Sequence, residues 1–94
     1  MNIQLEQTES KGAFYVEENN VRLAEMTFSK AGTDTIIIDH TEVSEALKGT
    51  GAGKKLVTEA VEYARKNKLK IIPLCPFAKS VFERTSEFAD VLKG

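Results

Sequence analysis

Lys48-Gly49-Thr50-Gly51-Ala52-Gly53 follows an apolar, β-branched run, Thr35-Ile36-Ile37-Ile38-Asp39-His40-Thr41-Glu42-Val43. After it, Leu56, Val57, Ala60, Val61 and Ala64 recur at helical spacing. The order this predicts is strand, glycine turn, helix, with the helix over Lys54–Lys66. Three alternate glycines, Gly49, Gly51 and Gly53, leave backbone N–H groups unobstructed, and the helix adds its unpaired amides and positive dipole end. Phosphate is the natural guest of such a turn, and Lys48, Lys54 and Lys55 supply charge beside it. The nucleoside-triphosphate loop G-x-x-x-x-G-K-[ST] does not fit, since Lys48 stands five residues before Gly53 and Lys55 occupies the Ser/Thr position. The dinucleotide pattern G-x-G-x-x-G, started at Gly49, needs glycine where Lys54 stands.

Outward from the turn, the Thr35–Val43 run reads as a strand buried on both faces for much of its length, at the centre of the sheet. Ala13–Val16 and Val21–Phe28 flank Glu17-Glu18-Asn19-Asn20 and predict a β-hairpin. Downstream, Asn67 closes the helix and Lys70-Ile71-Ile72-Pro73-Leu74-Cys75 is extended, with Pro73 marking an edge or a disrupted ladder. Pro76 opens a second helix through about Arg84, and Asp90-Val91-Leu92 adds a short final strand. An antiparallel start followed by strand, helix, strand makes a mixed sheet of α/β (α+β) class, mostly antiparallel, with one main crossover helix and a shorter C-terminal one.

The 94 residues suit one domain spanning 1–94, and 41% hydrophobic with 29% charged residues is ordinary globular composition. One cysteine, Cys75, and one histidine, His40, exclude a disulfide framework and a zinc cluster, so no metal is expected. With no signal-like N-terminus and no apolar stretch of membrane-spanning length, the expectation is a cytoplasmic protein without a membrane partner; nothing in the sequence fixes the oligomeric state, and a monomer is compatible with it. Residues 1–47 hold three basic and nine acidic side chains, whereas 48–84 hold nine basic and three acidic. The basic part suits an anionic ligand and the acidic part a cationic one. Beyond charge nothing points to nucleic acid, since no recognition motif for it is present.

The loop fits the [Q/R]-x-x-G-x-[G/A] pattern of the GNAT superfamily of N-acetyltransferases, with Lys48 in place of Gln or Arg and Gly51 and Gly53 matching. Val43, Lys54-Lys55-Leu56, Ala78 and Glu83-Arg84 extend the resemblance over residues 35–84. His40-Thr41-Glu42-Val43 with Pro73-Leu74-Cys75-Pro76-Phe77 is similar to the small single-domain GNAT-like proteins of the YjdJ type, which lack the helices that cover the acceptor groove. The resemblance implies acetyl-CoA, bound as coenzyme A in a wedge between two splayed parallel strands that end near Val43 and Cys75. The residues placed around the donor are Val43, Lys48, Gly49, Thr50, Gly51, Ala52, Gly53, Lys54, Cys75 and Phe77. The acceptor it implies is a primary amine, with a protein or peptide lysine suited to an uncovered groove.

Amine acetylation needs a base, because a lysine-type amine has a pKa near ~10.4, and an acid for the departing thiolate. The tyrosine that serves as acid in many GNAT enzymes falls at Phe82, which has no proton to give. Cys75 stands where the superfamily often has asparagine. It reads either as a small buried residue at a strand end or as a thiol that, activated by His40, takes the acetyl group or contacts the CoA sulfur. His40, with an unperturbed pKa near ~6.5, suits a general base. Strand alternation puts Glu42 on the same face as His40, where it would orient the imidazole or recruit a cation. The enzyme reading therefore rests on Cys75, His40 and Glu42, and the alternative is a non-catalytic CoA or acyl-CoA-binding module.

Overall fold

The computed structural model describes residues 1–93. Five strands form one sheet in sequence order: β1 Gln4–Gln7, β2 Lys11–Glu18, β3 Val21–Ala31, β4 Thr35–Val43 and β5 Lys70–Pro73. Neighbours are antiparallel except β4 and β5, which run parallel and are joined through helix α1, Ala52–Asn67. A second helix, α2, spans Pro76–Arg84, and 3-10 turns cover Glu45–Leu47 and Ser86–Val91. The mixed sheet, crossover helix and shorter second helix agree with the expected class.

Local chemistry explains most of these boundaries. Glu18 pairs with Val21, so Asn19 and Asn20 alone form the β2–β3 turn, both at positive φ (52° and 65°). Two left-handed residues match the twist of a two-residue hairpin, and asparagine tolerates that region. Helix α1 starts at Ala52, two residues before the predicted Lys54, because Gly51 at φ 78° already turns the chain into it. It closes on Lys68, at φ 59°, rather than on Asn67, whose side chain instead donates to the Tyr63 carbonyl at 2.9 Å.

Both helices cover one face of the sheet. Leu56, Val57, Ala60, Val61 and Ala64 of α1 are fully buried against Phe14, Met26, Phe28, Ile36 and Ile38, with Ile71, Ala78 and Val81 in the same core. Ala60 and Ala64 let the helix lie close to the strands, and Phe14, Phe28 and Tyr63 pack with ring centroids 5.5 to 6.2 Å apart. Among the described residues no element covers the other, bare face of the sheet, so β4 departs from the expectation of burial on both faces. Thr35, Ile36 and Ile38 are buried, while Asp39, His40 and Glu42 are exposed.

Two segments differ from expectation. β1 is an additional edge strand, polar and mostly exposed, with only Gln4 half-buried. The predicted strand at 90–92 is instead the end of a 3-10 turn, and only Leu92 bridges to Ile71, with Lys93 N–H donating to the Ile71 carbonyl at 2.9 Å. Arg65 fastens that turn to α1 by donating to both Asp90 carboxylate oxygens (3.0 and 2.9 Å) and to the Glu87 carbonyl (2.7 Å).

Candidate functional site

At the carboxyl end of β4, half-buried Val43 packs on the core and Ser44 caps the 3-10 turn, its hydroxyl accepting from Ala46 N–H at 3.2 Å. The Leu47 carbonyl then accepts from the Thr50 amide (3.2 Å) and hydroxyl (2.5 Å), so Thr50 is tied to the loop itself. Gly51 is the N-cap of α1, and its carbonyl takes the first helical bond, from Lys55 N–H at 3.0 Å. The N–H groups of Ala52, Gly53 and Lys54 have no protein acceptor among the described residues. No side chain caps this end and its first turn has no acidic residue. A helix end is usually satisfied by one or the other, so the first turn of this one keeps its positive dipole end uncompensated.

The loop residues divide into distinct roles. Gly49 and Gly51 sit at φ 81° and 78°, where the chain needs a left-handed residue. Gly53 makes room for a neighbour: a Cβ there would lie 2.6 Å from Phe77 Cζ, at the far end of that side chain, so the ring from α2 lies across the first turn of α1. Phe77 keeps 39% of its surface exposed. Ala52 turns its methyl into the core. Lys48 Nζ is held by Glu45 Oε1 at 2.8 Å in an exposed pair, whereas exposed Lys54 and Lys55 have no salt-bridge partner among the described residues. Such exposed pairs are worth only ~0–1 kcal/mol, so an anion can recruit Lys48.

The two parallel strands separate just beyond this point. β4 and β5 pair from Thr35↔Lys70 to Ile38↔Pro73, where both Leu74 and Cys75 N–H groups converge on the Ile38 carbonyl (3.0 and 3.3 Å). Past Ile38, β4 continues with β3 alone and the chain after β5 turns into α2, which opens a wedge. Cys75, 6% exposed, is the N-cap of α2. Its Sγ accepts from Ala78 N–H at 3.4 Å and lies 3.3 Å from Thr41 Oγ1.

That contact corrects the expected coupling of Cys75 to His40. Phe28 pairs with Ile38 but Thr27 with His40, so Asp39 is an extra residue, a β-bulge. Plain alternation from Ile36 and Ile38 would carry His40 onto the helix-covered face. The bulge reverses this: Thr41 pairs with buried Met26 on the helix side, and His40 and Glu42 pair with Thr27 and Glu25 on the bare face. Thr41 is thus the site residue that sequence reasoning missed. Its only sequence signal was adjacency to His40, because a bulge leaves no mark in a β-branched run.

On the bare face, Glu42 lies opposite Glu25, a like-charge pair relieved by Arg22, which bonds Glu25 at 2.6 Å and Glu6 at 2.7 Å. Arg22 also lies 3.9 Å above the Tyr15 ring, and its hydrogen bond to Glu6 raises its pKa further, so it stays charged. Asp39 accepts from the Ser29 hydroxyl at 2.7 Å. A groove of about 660 Å³ on this face is lined by Glu6, Glu25, Asp39, Lys11, Thr27 and Ser29, among others. Phe82, at the position of the absent tyrosine acid, is buried against Phe88 with ring centroids 5.9 Å apart. Among the described residues no group of three His, Cys, Asp or Glu side chains is placed to hold a metal, and no helix is long and apolar enough to cross a membrane.

The family model for GCN5-related N-acetyl-transferases matches residues 13–91. The solution structure of a GCN5-like protein from Staphylococcus aureus is 45% identical with TM-score 0.75, the match covering 99% of this chain and 90% of that one. The ribosomal-protein-alanine N-acetyltransferase of Brucella melitensis biovar Abortus 2308 superposes with TM-score 0.66 at 15% identity, over 82% of this chain and 62% of that one. Tetrahymena GCN5 does so with TM-score 0.66 at 12% identity, over 82% and 51%. At these identities the last two share the fold alone. No curated protein matches the sequence.

Proposed function

Since the chain belongs to the GCN5-related N-acetyltransferase family, we propose that it binds acetyl-CoA in the β4–β5 wedge and transfers the acetyl group to a primary amine. The observation that carries this reading is the uncapped amino end of α1, where, among the described residues, three N–H groups lack a protein acceptor and two neighbouring lysines lack a salt-bridge partner. A pyrophosphate fits that end, as each favourable charge at a helix terminus contributes ~0.3–1 kcal/mol and several amides converge. Lys48, Gly49, Thr50, Gly51, Ala52, Gly53 and Lys54 hold the phosphates, chiefly through backbone. Val43, Cys75 and Phe77 face the rest of the donor. Ligands of parallel-strand units lie outside the carboxyl ends of the strands, where this loop and Cys75 both stand.

The acceptor amine comes from the bare face. Glu42 and the other carboxylates there attract a cation, and His40 takes its proton so that the neutral nitrogen attacks the thioester carbonyl. The carbon–sulfur bond then breaks as the nitrogen sheds its extra proton to become an amide, and the CoA thiolate collects a proton. Cys75, on the donor side, either gives that proton or first takes the acetyl group and passes it to the amine. A protein or peptide lysine suits the bare face because no element among the described residues covers it. A second reading, a CoA-binding module without turnover, is favoured by Phe82, whose ring offers no acid.

The test combines amide chemical shifts on adding CoA with labelled acetyl-CoA offered to a panel of amines, including a lysine peptide. Shifts centred on residues 48–54 and label on the amine are expected, and both are lost with a donor-loop variant. Absence of shifts in 48–54 overturns the donor site. Shifts without transfer, for wild type and Cys75→Ala alike, select the binding module, while label retained on Cys75 assigns the two-step route.

A further inference from the structure

The Asp39 bulge turns Thr41, not His40, toward the only thiol in the chain, at the point where β4 has lost its β5 partner. The half-buried threonine reaches across the wedge from β4 to the first residue capping α2, so the contact joins the two elements that have just diverged. Sγ already accepts the Ala78 amide, which leaves the Thr41 hydroxyl free to act as its second donor. We infer that Thr41 is a positioning residue for Cys75: its hydroxyl fixes the side-chain orientation of the thiol and supplies a hydrogen bond to sulfur when it carries negative charge. A hydrogen bond to an ionised acceptor is roughly twice as strong as a neutral one. His40 is left on the acceptor side, so the thiol and the imidazole serve different faces of the wedge. The inference rests on the reading that Cys75 works at the donor end.

It is tested without acetyl-CoA, so its failure and the failure of the acetyltransferase reading are distinguishable. Cys75 is the only cysteine, so the rate of iodoacetamide alkylation at neutral pH reports it alone. Thr41→Val keeps the shape and removes the hydroxyl, Thr41→Ala removes both, and Thr41→Ser restores the hydroxyl. Alkylation is expected to slow roughly tenfold in both Val and Ala variants, the order of one charge-assisted hydrogen bond, and to return to within about twofold of wild type in the Ser variant. If Thr41 merely shields the thiol, Ala reacts faster than wild type and Ser gives no recovery, and the inference falls. Should the Val variant not fold, the Ala and Ser comparison decides alone. Where wild type does transfer acetyl groups, kcat is expected to follow the same order with the KM for acetyl-CoA unchanged, whereas a loss confined to KM also overturns the assignment.

Discussion

Gly53 and Phe77 illustrate how one residue pair carries more than its motif suggests. The spacing Gly49, Gly51, Gly53 is legible as an anion turn whose glycines clear the way for phosphate. Gly49 and Gly51 also meet a demand of the fold itself, left-handed backbone, and Gly53 lies under an aromatic ring that follows it by twenty-four positions in the chain. Sequence cannot show that contact, since it depends on how α2 lies against α1. Ordinarily Gly→Ala in a helix gains up to ~1 kcal/mol. Here the new methyl meets the far end of the Phe77 ring, which must swing away and surrender its packing. Gly53→Ala is therefore expected to bring little or no gain in denaturant stability in the wild-type background but the full helical gain in a Phe77→Ala background. Equal effects in the two backgrounds would show that the pair is not coupled. The same reorientation of Phe77 should weaken CoA binding several-fold in the single variant.

At the scale of elements, legibility followed the strength of the periodic signal. The β-branched run marks β4 from Thr35 to Val43, and the α1 stripe is equally plain, whereas β1 has an exposed Gln-Leu-Glu-Gln sequence with no core-facing alternation to announce it. The bulge in β4 escaped because one inserted residue changes side-chain direction without changing composition, and the Cys75–His40 coupling failed for that reason. In the C-terminal segment Asp90-Val91-Leu92 suggests a strand, yet tertiary contacts decide its form: Arg65 of α1 grips Asp90 and the Glu87 carbonyl. The Arg65 hydrogen bond, followed by its charge, holds the Asp90 carboxyl below its ordinary value. A carboxyl with a depressed folded-state pKa adds stability that is complete above the unfolded value, near ~3.9, and is lost as pH falls through the folded one. Asp90→Asn should consequently melt below wild type at neutral pH, and the gap should close as the pH is lowered past 4 toward the folded value. A gap that persists unchanged in acid would mean that the carboxylate contributes through packing and not through its charge.

For the whole molecule, the charge split seen along the chain becomes a split between layers. The acidic first half builds β1–β4 and leaves Glu6, Glu25, Asp39 and Glu42 on the bare face, while Lys54, Lys55, Arg65, Lys66, Lys79 and Arg84 lie on the two helices. On the proposed reading, an anionic donor and a cationic acceptor would approach one wedge from opposite sides, each drawn by the layer it meets. The cost lies at α1, whose amino end lacks both a side-chain cap and an acidic first turn. Supplying that missing charge should separate stability from function. In Lys54→Glu, a carboxylate in the first turn interacts favourably with the helix dipole, and the unliganded protein is expected to gain ~0.3–1 kcal/mol. The same carboxylate repels a pyrophosphate. With wild type, CoA at about 100 times its Kd should add ~2.7 kcal/mol, or an upward shift in Tm of roughly 10–20 °C for a domain of this size. The variant should begin with a higher Tm, respond less to the same CoA concentration, and end below wild type once CoA is present. The wild-type shift should also shrink with added salt, because exposed lysines and phosphates are screened beyond about 8–10 Å. A variant that loses stability without CoA would show that the end of α1 is already satisfied within the fold, and one that keeps the full CoA shift would move the pyrophosphate away from this helix.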